Sequence, residues 1–145
     1  MLAAHFPVLL VVTPLVTAPL IVVVRSARAG WAMALAACLA AVLMAAQLLA
    51  RVAASGPVSY AIGSWPPPWG IEYRVDAASA LVALLVASLG AASVVYARRS
   101  TAAEIGGERQ YLFYALMMLC LAGLLGMVVT GDAFNLFVFL EISSL

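Results

Sequence analysis

Few side chains in this sequence have the types and spacing needed for chemistry. Only 9% of its 145 residues are charged, the seven basic residues are all Arg, and His5 is the single histidine. Cys38 and Cys120 each lie in an apolar run and are expected to pack as small hydrophobic side chains. The acidic residues are Glu72, Asp76, Glu104, Glu108, Asp132 and Glu141. No metal-ligand spacing, nucleophile–base pattern or phosphate-binding loop is present, so we predict no catalytic centre, no metal site and no cofactor.

Glu141 has the most unusual position of these acids, because it lies inside an apolar run. It follows Asp132 by nine positions, so in a helix that starts at the membrane surface it lies about 14 Å inward, near the bilayer midplane. A carboxylate at that depth is costly when it faces lipid, so we expect it to face protein or water. Such a group is able to bind and release protons. The structural alternative is a static pair with Arg, or a side chain that extends to the interface.

Helical spacing indicates which residues accompany Glu141. At about 100° per residue, Phe134, Phe137, Glu141 and Ser144 share one face, and Thr130 extends it if the helix begins early. We therefore predict Glu141 as a proton-transfer residue with Thr130 and Ser144 as polar neighbours. Asp76 and Asp132 precede predicted helices, where a carboxylate accepts hydrogen bonds from free backbone N–H groups, and both are predicted to be structural.

The composition predicts an integral membrane protein. Hydrophobic residues make up 67% of the chain and the mean hydropathy is +1.16, whereas a soluble domain is about half apolar. The net charge of +1 provides no basic field for nucleic acid. Uncharged runs at residues 6–24, 30–50, 77–97 and 111–131 are each long enough to cross about 30 Å of hydrocarbon as a helix. A fifth run, 133–145, extends only about 20 Å. We predict one all-α membrane domain over residues 1–145.

The distribution of arginines predicts the orientation. Cytoplasmic loops are enriched in Arg, and five of the seven lie in the first and third loops: Arg25, Arg28, Arg98, Arg99 and Arg109. The N-terminus, with a solvated His5, is therefore predicted outside, as is the second loop. That loop contains three consecutive prolines, which favour an extended backbone, and aromatic residues suited to the headgroup zone: Tyr60, Trp65, Trp69 and Tyr73.

Two segments carry a family resemblance. The sequence TGDAFNLFVFLEISSL at residues 130–145 resembles the fifth-helix signature of the D subunit of multisubunit Mrp-type Na+/H+ antiporters. The sequence YAIGSWPPPWGIEYRVDAASAL at residues 60–81 is similar to the loop that enters the third helix of the same family. Antiporter-like subunits of complex I and of membrane-bound hydrogenases are related to this family.

The resemblance implies a fold, a role and partners. The chain would correspond to the N-terminal four to five transmembrane helices of an antiporter-like subunit built from inverted repeats. Glu141 matches the essential fifth-helix glutamate, which in the family pairs with a lysine on the seventh helix. This chain has no Lys, so we expect a partner chain to supply the later helices; a truncated sequence or a fragment kept for assembly are the alternatives. Other implied partners are further membrane subunits, the lipid bilayer, protons and Na+ or another monovalent cation.

Three functions remain open at this point. The first is a non-enzymatic subunit of a cation/proton antiporter in a bacterial inner membrane, with a buried Glu141 in the proton path. The second is a proton-pumping subunit of a redox complex, either an NADH–quinone oxidoreductase or a membrane-bound hydrogenase. The third is a scaffold without transport, in which the small-residue step at Gly123 and Gly126 allows close helix approach.

Overall fold

The computed structural model describes residues 5–65, 69–105 and 109–144. These residues form five α-helices and one two-stranded antiparallel sheet. In chain order the elements are α1 (Phe6–Val24), α2 (Ala27–Ser55), β1 (Val58–Ala61), β2 (Glu72–Val75), α3 (Ala77–Glu104), α4 (Gln110–Val129) and α5 (Ala133–Ser143). A short 3₁₀ turn, Ile62–Ser64, follows β1.

Four of the described helices, α1 to α4, are long and apolar enough to cross a membrane. The predicted all-α membrane fold is confirmed in this respect. α2 has 29 residues and α3 has 28, so both extend past the uncharged runs that predicted them. The reason is that arginine ends an uncharged run without ending a helix, since Arg has a high helix propensity. α1 is continuous through Pro14 and Pro19, as membrane helices allow.

Side-chain caps fix the starts of three helices. Ser26 accepts a hydrogen bond from the Ala29 N–H at the start of α2. At the start of α3, the Asp76 carboxylate accepts from the Ser79 N–H at 2.8 Å, and the Ser79 hydroxyl accepts from the Asp76 N–H. The Ser79 backbone hydrogen bond lowers the pKa of the exposed Asp76. Asp132 accepts from the Phe134 N–H at 3.1 Å and begins α5. Both carboxylates therefore act as caps.

Small side chains bring the long helices together. α2 buries a row of alanines along one face, among them Ala34, Ala41 and Ala45, and α3 buries Ala80, Ala83 and Ala87. Such residues allow two helix backbones to approach closely in a membrane, where packing rather than burial from water drives association. α4 contacts α1, α2, α3 and α5, so it supports α5 against the rest of the bundle.

The loop between α2 and α3 contains a hairpin that was not predicted from the sequence. β1 pairs with β2 in the register Val58↔Val75 and Ala61↔Glu72. Trp65 and Trp69 are exposed, but Tyr73 is buried, so the prediction that Tyr73 is an interfacial anchor is wrong. Strand geometry points alternate side chains to opposite faces, and Tyr73 points inward between Glu72 and Arg74. The prolines at 66–68 lie outside the described residues.

His5, which was predicted to be solvated, also contacts another residue. Its Nδ1 lies 2.9 Å from the Tyr60 hydroxyl, and the two rings meet edge to face. His5 remains exposed, but it connects the start of α1 to the hairpin. The hairpin therefore contacts the bundle through an aromatic pair at this point.

Candidate functional site

The connection between α4 and α5 is fixed by the edge of the hairpin. α4 ends at Val129, and Thr130 has the extended backbone angles φ −71° and ψ 137°. Thr130 forms an antiparallel bridge with Tyr73, and the Gly131 N–H donates to the Glu72 carbonyl at 2.8 Å. Strand β2 thus satisfies backbone groups that the chain reversal would leave free, and it sets where α5 begins.

One face of α5 is buried and polar at its start. Asn135 is only 7% exposed, and its amide donates to the Thr130 hydroxyl at 3.2 Å. Asn135 also lies close to Tyr73: burial raises the pKa of Tyr73, and the Asn135 side chain lowers it in part. The Tyr73 ring lies 6.3 Å from the ring of Phe139. Asn135 was not predicted from the sequence, although an amide inside an apolar run was a visible signal, because buried amides need partners.

The next turn of α5 packs closely against two glycines of α4, Gly123 and Gly126. A Cβ added to Gly123 would lie 2.6 Å from the Phe139 carbonyl and from the Ser143 nitrogen, and one on Gly126 would overlap the Phe139 ring. The close approach predicted for this small-residue step is therefore present, but it joins two helices of this chain. The surface at Gly123 and Gly126 is therefore covered by α5 and is not open to another subunit.

Glu141 lies on the other side of α5. The buried residues of the helix are Asn135 and Phe139, and at about 100° per residue Glu141 points about 120° away from Asn135 and about 160° away from Phe139. Its neighbours on this outer face are Phe134, which is 73% exposed, and Phe137, which is 68% exposed. Glu141 is itself exposed, so it is not buried within this chain. Any burial has to come from helices that cover this face.

The structure does not bring Thr130 to Glu141. Because α5 begins at Ala133 and Thr130 is extended, the condition that would place Thr130 on the outer face is not met. Thr130 instead bonds to Asn135 on the buried face. Ser144 does lie beside Glu141, and its hydroxyl donates to the Glu141 backbone carbonyl at 2.9 Å. Of the two predicted polar neighbours, Ser144 therefore lies near Glu141 and Thr130 does not.

The remaining reactive side chains are dispersed. In the described part of the chain no three residues of the types His, Cys, Asp and Glu are grouped so as to hold a metal ion. Cys38 is buried in the core, and Cys120 is exposed on α4.

Removing the Asn135 side chain is expected to loosen the start of α5. The Asn135→Ala variant leaves the Thr130 hydroxyl without its amide partner, at a cost of about 1–3 kcal/mol. Hydrogen exchange of the α5 amides should rise roughly tenfold or more at this cost, measured by mass spectrometry on the intact complex. Ser88→Ala, whose hydroxyl donates to the Leu84 carbonyl of α3, serves as the control and should leave the exchange unchanged. Equal exchange in Asn135→Ala and wild type would contradict the role assigned to this cluster.

Comparison with known proteins gives this arrangement a context. No family model matches the chain. It is 44% identical over 147 residues to the N subunit of the NADH-quinone oxidoreductase of Desulforudis audaxviator, a match that covers 99% of the chain and 29% of the relative. It is 40% identical over 108 residues to the D subunit of the probable K(+)/H(+) antiporter of Rhizobium meliloti, which covers 69% of the chain and 19% of the relative.

The fold matches a solved membrane complex as well. The structure of the Mrp complex from Dietzia sp. contains a chain that superposes with a TM-score of 0.83 at 24% identity, over 100% of this chain and 26% of that one. At that identity the likeness concerns the fold. This chain is related to the antiporter-like membrane subunits.

The resemblance to the antiporter D subunits and to their complex I relatives is thereby confirmed. The antiporter-like chain spans less than a third of the length of each of these relatives. Its four long apolar helices make it a multi-pass membrane protein, and its relatives are named as subunits.

Proposed function

We propose that the chain contributes Glu141 to the proton path of a cation/proton antiporter complex. The observation that carries the proposal is the position of Glu141 on α5. It is the ninth residue of a helix capped by Asp132, and a rise of 1.5 Å per residue puts it about 14 Å from the cap. A carboxylate at that depth needs protein or water around it, and intramembrane carboxylates commonly serve as proton relays.

The exposed outer face of α5 supports an interface with further helices. Phe134, Phe137 and Leu140 on this helix are all exposed, while the opposite face is fixed to α4. Helices that pack on this face would enclose Glu141 and supply the cation that a buried carboxylate requires. The chain has no Lys, so a lysine partner would come from such helices. Glu141 would then exchange protons with that partner along a polar path.

A redox-driven proton pump is the second candidate. It is favoured by the 44% identity to a protein named as the N subunit of an NADH-quinone oxidoreductase. Either complex would use the same carboxylate, and the two differ in what drives the protons.

The driving force is tested in everted membrane vesicles that contain the intact complex. For an antiporter, added Na+ or K+ should dissipate a preformed proton gradient, and electron donors such as NADH should have no effect through this complex. Deletion of the chain's gene, the matched control, should abolish the cation response. If an electron donor generated a proton gradient that was lost on deletion and did not respond to cations, the complex would be a redox pump and not an antiporter.

We also place the chain in a bacterial inner membrane with its N-terminus outside. The support is the arginine distribution: Arg25 and Arg28 lie at one end of the bundle with Arg98, Arg99 and Arg109, and the hairpin lies at the other end. A cysteine introduced at Ser59 of the hairpin should react with a membrane-impermeant maleimide in intact cells. Reaction only after the cells are opened would reverse this orientation.

A further inference from the structure

A cavity of about 290 Å³ lies at the end of the bundle opposite the hairpin. It is formed where α2 and α4 begin and where α3 approaches its end. Its polar lining comprises Arg28, Trp31, Arg98, Gln110 and Tyr114. Two guanidinium groups therefore line one cavity, and its described lining contains neither Asp nor Glu. Two positive charges in one cavity attract an anion.

The Arg98 guanidinium is oriented by the neighbouring helix. The Trp31 ring nitrogen donates to the Val94 carbonyl at 3.1 Å, which holds α2 against α3. The guanidinium carbon of Arg98 lies 4.3 Å from the centre of the Trp31 ring. A cation–π contact of this kind fixes the group while its N–H donors stay available to a ligand.

Nearby carboxylates do not neutralise the pair in the described part of the chain. Glu104 is the described acid at this end, and it accepts a hydrogen bond from Ser100 at 3.0 Å on another face of α3. The first turns of α2 and α4 both reach the cavity, and Arg109, the residue before α4, makes no side-chain cap. Their free N–H groups add positive potential to that of the two arginines.

The depth of the cavity indicates which anion it meets. Arg28 lies two residues before the uncharged run 30–50, and Arg98 directly follows the run 77–97. Both guanidinium groups are therefore at the boundary of the hydrocarbon, where lipid phosphates lie, and Trp31 suits the same zone. We propose that this cavity binds the phosphate of an anionic membrane lipid. Basic pockets between transmembrane helices are suited to such headgroups.

The proposal is tested by native mass spectrometry of the complex purified with its partner subunits and titrated with phosphatidylglycerol. The readout is lipid binding, so it is independent of transport. In the Arg28→Gln/Arg98→Gln variant the apparent affinity for phosphatidylglycerol should fall about thirtyfold, since each arginine near lipid phosphate contributes about fivefold. Arg99→Gln removes an arginine at the same end outside the cavity lining and should change the affinity less than about twofold. If the double variant does not assemble, each single variant should lose about fivefold.

Competition distinguishes the sources of the phosphate. Unlabelled phosphatidylglycerol should displace the bound lipid, whereas inorganic phosphate and phosphatidylcholine should not. Unchanged binding in the glutamine variants would overturn the proposal. If inorganic phosphate displaced the lipid equally well, the cavity would be a site for a free anion and not for a lipid. A cross-link from the cavity to an acidic residue of a partner subunit would show that it is a protein contact.

Discussion

Replacing Glu141 by glutamine is expected to reduce proton-coupled transport by the complex by about a hundredfold or more, the size of a lost positioned proton-transfer group. Glutamine keeps the length and hydrogen-bonding capacity of the side chain but takes up no proton. Glu141 points away from the α4 contact, so the substitution disturbs none of the packing that fixes α5. Assembly, followed by native gel electrophoresis, should therefore match wild type. Transport is measured in everted vesicles as the response of the proton gradient to added cation.

Two matched variants make this result specific. Glu104→Gln removes the carboxylate that accepts from Ser100 at the end of α3 and should leave transport unchanged. Glu141→Asp keeps a proton-binding group one methylene shorter and should retain part of the activity. A Glu141→Gln complex that assembles and transports at the wild-type rate would leave α5 with a packing role only.

Replacing Gly126 by alanine is expected to displace α5 from α4. The added methyl group would occupy space taken by the Phe139 ring, and overpacking of this kind costs about 1–3 kcal/mol, occasionally more. Phe139 is 6% exposed and contacts Tyr73, so the ring has little room to move. Hydrogen exchange of the α5 amides should rise, and transport should fall, because the position of Glu141 depends on this contact.

A double variant separates the steric cause from other effects. Phe139→Ala alone removes the ring and leaves a cavity, but Gly126→Ala combined with Phe139→Ala should be less damaged than the sum of the two single variants. Gly90→Ala is the control, since its added Cβ would meet the movable end of Leu121 at 3.1 Å. Wild-type exchange in Gly126→Ala, or strict additivity in the pair, would show that α5 is not held by this contact.

The membrane helices could be predicted because their signal is local. Each of the four runs is apolar over its whole length, and hydrocarbon thickness sets the length that is needed. α2 and α3 extend past the uncharged runs that predicted them, because a helix can continue beyond the membrane boundary. The hairpin was missed because its four-residue strands, Val58–Ala61 and Glu72–Val75, are short and far apart in sequence. Their pairing depends on contacts that a local pattern does not contain.

The candidate site was predicted in part. Glu141 could be identified because a carboxylate in an apolar run is rare and costly. Thr130 was expected on the face of Glu141 only if the helix began early, and this condition is not met because Thr130 is extended and paired with β2. Asn135 and the Arg28–Arg98 pair required the fold, because the side chains near them lie on other elements: Tyr73 on β2 near Asn135, and Trp31 on α2 under Arg98.

Proton uptake by Glu141 can be observed by infrared difference spectroscopy of the intact complex across a change of pH. We predict a protonated-carboxyl band that appears as pH falls, shifts in Glu141→Asp and is absent in Glu141→Gln. Such a result would show that this carboxyl gains and loses a proton in contact with water or a proton-donating partner. Identical carboxyl spectra for wild type and Glu141→Gln at every pH would contradict the claim that Glu141 carries protons.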